Sequence, residues 1–354
     1  WPNAPAPFDF NWEIMARPEG AVLSENSGGP QLPFAGNFHT ASYSDSELPF
    51  SRNDEWVGAR IDMSPFDGIY QTTGLVTASG SESLTFRYRY EETAAVTIGN
   101  PYFLWNTLRA LDQEGEYFFD IEGVSGPAYT LYLWPPGGMS PQHEAIEIRT
   151  RDICLNFFNS GHITTSNLSI FGGGVFCPSQ SEFITMDRLH LRYCGQGLDY
   201  LNPQRPGIHI RGDNNTVTNC LIEDTYGGGI HANAEDIVIT NNVVRNCMLY
   251  SIGSWGGNRV IANRNTTYLN GGLNIAMFSP ASQFNYNHCY LAGLRTCDEA
   301  NMNSHYNGDA ENTEVAYNWV HTNLARYDMQ FEWGGGIGIR LDTSASNFVI
   351  HHNL

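Results

Sequence analysis

A phrase of 22 residues that nearly repeats itself constrains this chain more than any other feature. GIHIRGDNNTVTNCLIEDTYGG begins at Gly207, and GIHANAEDIVITNNVVRNC follows at Gly229. Setting TVTNC on VITNN pairs Asn219 with Asn241. The same place recurs at Asn263, Asn287, Asn318 and His352, and backwards at Asp187 and Ser166. A period of about 20–25 residues, carried by short β-branched runs without helical spacing, specifies a solenoid of strands. Each repeat is then one coil of a parallel β-helix, stacked ~4.8 Å on the next. The recurrent Asn suits a sharp corner because it tolerates the left-handed conformation and its amide bonds to the coils above and below. Asn219, Asn241, Asn263, Asn287 and Asn318 are therefore expected in one column.

Other features agree with an all-β chain. Of 17 prolines, only Pro280 lies beyond Pro206, as continuous ladders that need every N–H require. No apolar run is long enough to span a membrane. The net charge is −19 and all 18 basic residues are arginine. Such a chain makes a poor nucleic-acid binder, repels polyanions in general and excludes a lysine base. Seven cysteines all fall in the coil region. They either fill the core as small apolar groups or, as Cys289–Cys297, staple one loop. Sequons at Asn167, Asn214 and Asn265 suit secretion, so an extracellular protein is expected.

Residues 1–142 read as a Pro- and Ser-rich lead-in, then short alternating strands, then a helix over Tyr102–Leu111 that caps the coils. Residues 143–354 read as the coils. The run ALDQEGEYFFD followed by LYLWPPGG, and coils such as NTEVAYNWVH and GGGIGIRLDTSASNFVIHHNL, resembles the right-handed parallel β-helix proteins related to carbohydrate-active enzymes. That resemblance covers roughly 55–354. It implies a right-handed helix and a polysaccharide or glycan partner. It does not by itself carry over catalytic residues, since the scaffold also hosts non-enzymes.

Three coils are longer than the rest. The excess falls at Gln196–Pro206, Ala292–Glu311 and Asn323–Gly334, all at the corner that Glu223–Gly228 forms in a regular coil. Insertions on one face are how solenoids build sites. Paired carboxylates for glycosidic hydrolysis are available there as Glu332, Asp342 and Asp309, beside Trp333 and Arg340. GIGIRLD also matches GIHIRGD position for position, which would make Asp342 a turn residue like Asp213. Asp298, Glu299 and Asp309 offer hard oxygen ligands for calcium, or simply a solvated acidic loop. Strand alternation turns His209 and His231 outward on adjacent coils, with small Gly253 and Ala276 continuing the row. With Trp255 they form the expected substrate-binding groove.

Two functions compete. One is a secreted glycoside hydrolase working by paired carboxylates, with a lyase less favoured. The other is a non-catalytic structural or adhesive rod. The last coil is begun at Leu354 but not closed, so further coils or a neighbouring chain are expected there.

Overall fold

The computed structural model describes residues 20–24, 38–46, 48, 55–63, 72–89, 102–120, 126–138, 140, 146, 149–195, 206–296, 299–304, 308–325, 336–342 and 344–354. The chain divides into two compact units between Ile148 and Arg149.

In the first unit the alternating runs form a six-stranded antiparallel sheet. Its spatial order is Gly20–Ser24, Phe38–Ser44, Ser83–Arg89, Thr72–Ser79, Arg60–Met63 and Tyr102–Trp105. Tyr43, Ile61, Met63, Phe86, Tyr88 and Tyr102 bury one face completely or nearly so. The Tyr102 hydroxyl donates to Asp45 at 2.6 Å. The helix expected over Tyr102–Leu111 is not formed. Tyr102–Trp105 is an edge strand paired antiparallel with Arg60–Met63, and only Leu108–Ala110 makes a 3-10 turn. Asn106, at φ 57°, separates the two. Burying the Tyr102 ring against the sheet outweighs the helical spacing of Phe103, Leu104, Leu108 and Leu111. The expected strand pair is present as Tyr117–Asp120 and Thr130–Leu133.

The second unit is a parallel β-helix of three sheets. One coil runs through a strand of each: for example Ile208–Ile210, Thr216–Thr218 and Leu221–Thr225. These are called here the first, second and third sheets. Among the described residues they hold eight, eight and seven strands, every neighbour parallel. Alternate side chains face inward and stack by kind. Ile208, Ile230, Ile252, Ile275 and Met302 line the first sheet, Val217, Ile239 and Phe284 the second, Ile222, Val244 and Cys289 the third, all fully buried. Each such side chain is worth about 1.5–3 kcal/mol relative to exposure. That is what offsets the ordering of so many short strands.

The corner between the second and third sheets corrects the expected column. Its left-handed position is occupied by Asn167, Arg188, Asn219, Asn241, Arg264, Tyr286, Tyr317 and His352. The next residue makes the ladder, and there Asn242, Asn265, Asn287, Asn318 and Asn353 stack. Of the five asparagines expected in one column, Asn219 and Asn241 hold the left-handed place, Asn287 and Asn318 the ladder, and Asn263 ends a strand. The amides of the inner rungs are fully used. The Asn265 Oδ1 accepts from the Asn242 N–H at 3.0 Å and from its Nδ2 at 3.1 Å. The Asn265 Nδ2 donates to the Ile239 carbonyl at 3.0 Å and to the Asn287 Oδ1 at 3.2 Å. The ladder is possible because Asn alone of the short side chains is both acceptor and double donor.

Five cysteines fill the core, while Cys154 is exposed. Cys177, Cys194, Cys220, Cys247 and Cys289 are buried free thiols. The Cys289–Cys297 staple is not made, because Cys289 points inward and meets Thr267 Oγ1 at 3.3 Å; Cys297 lies outside the described residues.

Candidate functional site

The outer face of the first sheet carries one row of aligned residues. Its members, coil by coil, are Asn156, Phe176, His209, His231, Gly253, Ala276, Asn303 and Arg340. The two histidines expected outward are thus neighbours, with ring centroids 4.8 Å apart and planes at 84°. Phe176 packs on the far side of His209 at 5.4 Å.

Beyond His231 the row falls to glycine, and two aromatic residues fill the space. A β-bulge between Ala232 and Asn233 leaves Trp255 as the extra residue of its strand and re-aims its side chain. A Cβ on Gly253 would come within 2.1 Å of the Trp255 Nε1, and one on Gly228 within 2.3 Å of Tyr250. Both positions must be glycine for the indole and the phenol to lie against the sheet. Tyr250 joins Leu273 and Ala276 in a small apolar cluster outside the main core. Trp255 stacks on Phe278 at 4.5 Å and faces His231 at 6.2 Å.

Hydrogen bonds fix the polarity of this cluster. Trp255 lies against Tyr250, ring centroids 5.5 Å apart. Tyr250 in turn lies 2.7 Å from His231 Nδ1. Arg211 Nε donates to His209 Nε2 at 3.3 Å, which puts the His209 proton on Nδ1. Burial holds both imidazoles neutral, lowering each to about 4. Arg211 adds to this at both, and His209 does so at His231.

The strands of the third and first sheets bracket the inserted segments. Arg192 precedes and Ile208 follows the first, Tyr290 and Ala300 the second, His321 and Ile337 the third. The first and third insertions therefore leave the chain at one corner, at the edge of the face that carries His209 and His231; the second, expected as Ala292–Glu311, is divided by the strand Ala300–Ser304, and part of its excess follows that strand. Of the residues singled out there, Glu332, Trp333 and Asp298 lie outside the described residues.

The remaining carboxylates sit at the opposite ends of the first-sheet strands. Asp309 opens the second-sheet strand Asp309–Ala316 and accepts from the Glu311 N–H at 2.8 Å. That bond, with one from Asn347, holds its carboxyl below the usual range. Asp342 follows the strand Ile337–Leu341 and pairs with Arg340 at 2.7 Å. The match of GIGIRLD to GIHIRGD is two residues out of register. Ile339, not Ile337, continues the column of Ile208, so Arg340 stands in the row of His209 and Asp342 is no counterpart of Asp213.

Calcium does not fit the residues proposed for it. Glu299 precedes the strand Ala300–Ser304 and Asp309 lies past its other end. Five extended residues span about 16 Å, far beyond one ion's coordination shell. Among the described residues no group of three or more His, Cys, Asp or Glu could hold a metal. Of the sequons, Asn167 is exposed and Asn214 half-buried, but Asn265 is a buried rung of the ladder whose amide is already committed. It is not a glycosylation site in the folded protein.

A second titratable cluster lies outside the third sheet. Glu223 meets His190 at 2.8 Å, Arg192 at 3.2 Å and Arg245 at 2.5 Å. Burial opposes its charge, but bonds from His190 and Arg245 prevail and the carboxyl is held low. Along the same face Tyr268, Tyr290 and His321 stack ring on ring at 4.8 and 5.2 Å. Stacked faces leave only edges outward, so this array braces the coils.

The sequence matches the family described as a right-handed β-helix region over residues 173–354, more than half of the chain. The chain belongs to the right-handed β-helix family. A solved structure described as "Glycoside hydrolase" is similar to this β-helix chain with a TM-score of 0.63 at 10% identity, over 96% of this chain and 82% of that one. A second, the Agl-KA catalytic domain, reaches a TM-score of 0.29 at 11% identity, over 96% and 75%. Among curated proteins, none matches this β-helix sequence. At these identities the likeness concerns the fold. No helix among the described residues is long and apolar enough to cross a membrane.

Proposed function

We propose that this β-helix protein is a secreted, carbohydrate-active enzyme, a glycoside hydrolase whose glycan lies along the outer face of the first sheet. One observation carries the reading. The face with outward His209, His231 and Trp255 borders the corner where the first and third insertions, and the start of the second, leave. A sugar needs polar donors beside an apolar surface, and that combination lies on this face. The fold neighbour described as a glycoside hydrolase supports it. The exposed sequon at Asn167 supports secretion.

In this reading Glu332, carried by the third insertion, and Asp342 supply the acid and the base or nucleophile. The test is release of reducing ends from a panel of polysaccharides. Glu332→Gln and Asp342→Asn should each lower kcat by roughly 10³-fold with an unchanged melting temperature. Full activity in both variants would remove these two residues from the mechanism. The structural rod is the second reading. It is favoured by the local bonds that occupy Asp309 and Asp342. Binding without any hydrolysis across the panel would establish that reading instead.

A further inference from the structure

We infer that His288 and His321, on adjacent coils of the third sheet, form a two-coordinate site for a soft monovalent metal ion, copper(I) or its analogue silver(I). The inference is independent of the glycan reading and concerns the outer face of a different sheet.

The stacking of coils builds the pair. His288 opens the strand His288–Tyr290 and His321 closes the strand Trp319–His321. The register sets His288 beside Trp319 and Tyr290 beside His321, so the two imidazoles are diagonal neighbours. Their Nε2 atoms lie 2.9 Å apart. The ring centroids are 5.1 Å apart, so nearly the whole radius of each ring lies along the line that joins them. The nitrogens therefore meet head-on. In the neutral pair one Nε2 carries a single proton and the other accepts it. Burial and the neighbouring imidazole lower the pKa of His288, which keeps that ring neutral at pH 7.

A proton shared end to end holds the place that a linear, two-coordinate ion takes between two lone pairs, and imidazole suits copper. With metal–nitrogen bonds of about 2 Å the nitrogens must stand ~4 Å apart, so the rings part by about 1 Å. Both side chains are only partly buried, which leaves them room to move. A zinc ion instead needs four ligands around one point. Among the described residues no group of three or more His, Cys, Asp or Glu could begin to supply them. Binding uses both Nε2 lone pairs. The displaced Nε2 proton passes to Nδ1 of its own ring, so no proton is released overall. At His321 that Nδ1–H donates to the Thr322 hydroxyl, 2.9 Å away. Two aromatic rings complete the surroundings. Trp319 lies 4.2 Å from His288 and 4.9 Å from His321, and Tyr290 lies 4.6 and 5.2 Å from the same two rings. Aromatic rings at that range favour a cation, and so does the net charge of −19. His351 and His352 also meet, at 2.7 Å, but His351 is tied to Glu314 and Tyr317 is the one stacked ring beside them among the described residues. That pair serves as the control.

The experiment uses the full chain carrying Cys154→Ser and Cys297→Ser, so that only the core thiols remain. Histidine is isotopically labelled at its ring nitrogens, and an equimolar amount of silver(I), the redox-inert stand-in for copper(I), is added. Coupling to the silver nucleus should split the Nε2 resonances of both His288 and His321. The melting temperature should rise, because the ion binds the stacked coils and not the unfolded chain. His288→Gln should abolish the splitting at His321 together with the rise in melting temperature, and His321→Gln should do the same at His288. His351→Gln should leave both readouts in place. Silver splitting confined to His351 and His352, no splitting at any histidine, or a His288→Gln variant that binds silver like its parent would overturn the site. A zinc salt that moves the two resonances more strongly than silver would overturn its two-coordinate character.

Discussion

Two corners of the coil flank the third sheet, and they obey opposite rules. From the second sheet to the third, two residues separate the strands wherever both are described: 167–168, 188–189, 219–220, 241–242, 264–265, 286–287 and 317–318. From the third sheet to the first, the separation ranges from two residues at 172–173 to fifteen at 193–207 and 322–336. The first corner saturates its backbone with a left-handed residue and a ladder amide, so a change of length would strand buried N–H groups. At the second corner long loops have no such obligation, because closing a longer loop costs little. Constancy at one corner is what allows variety at the other, and the variety lies beside His209 and His231.

The sharpest way to break that comparison is to add one glycine at each corner. Between Asn241 and Asn242 it would displace the ladder and turn every following side chain of the strand to the wrong face. That variant should show no cooperative unfolding transition in urea. Between Gly197 and Leu198 the same insertion should move the midpoint by less than about 0.6 kcal/mol. Similar losses at both corners would end the distinction.

A smaller effect tests the ladder alone. Asn265→Ala removes the acceptor for the Asn242 N–H and its Nδ2, and should cost about 2–4 kcal/mol by urea unfolding. A loss under about 1 kcal/mol would mean that the amides are ornaments on a corner held by the backbone.

The smallest effect belongs to the variable side. Folded His209 and His231 are held near about 4, against about 6.5 in an unfolded chain. Above about pH 6.5 both are neutral in either state. As the pH falls toward about 4 the unfolded chain takes up protons that the folded one refuses, so stability declines over that window. The double variant His209→Gln/His231→Gln should lose less melting temperature than the parent between about pH 7 and about pH 5. An equal drop in both would show that the two imidazoles do not set the acid sensitivity.

Much of the fold was legible because stacking forces like onto like. The period, the first and third insertions at one corner and the outward row His209, His231, Gly253, Ala276 follow from alternation and a near-constant coil length; the second insertion is split by the strand Ala300–Ser304. What blurred was phase. One coil is a residue longer than its neighbours, so a column read at steps of 22 slid from the left-handed place to the ladder between Asn241 and Asn287. The same weakness put GIGIRLD two residues out of step. Tyr102–Trp105 reads as helix by spacing because its partner strand lies some forty residues upstream and leaves no local mark. At the candidate site, the contact of Trp255 and Tyr250 with His231 depends on a bulge and two glycines. Spacing alone does not distinguish those glycines from turn residues.

The ladder also bears on how such a chain changes over generations. Each rung touches only the rungs on either side, and Asn265 to Asn287 is one unit of 22 residues. A duplication or loss of one unit by unequal recombination rejoins Asn to Asn, and both new junctions are chemically the same as the old ones. Copy number can therefore drift with little penalty where single substitutions at the rung cannot. Each gained unit lengthens the outer face by ~4.8 Å. The reach of the protein is thus inherited as a count of coils, and the asparagine corner is the joint that makes counting possible.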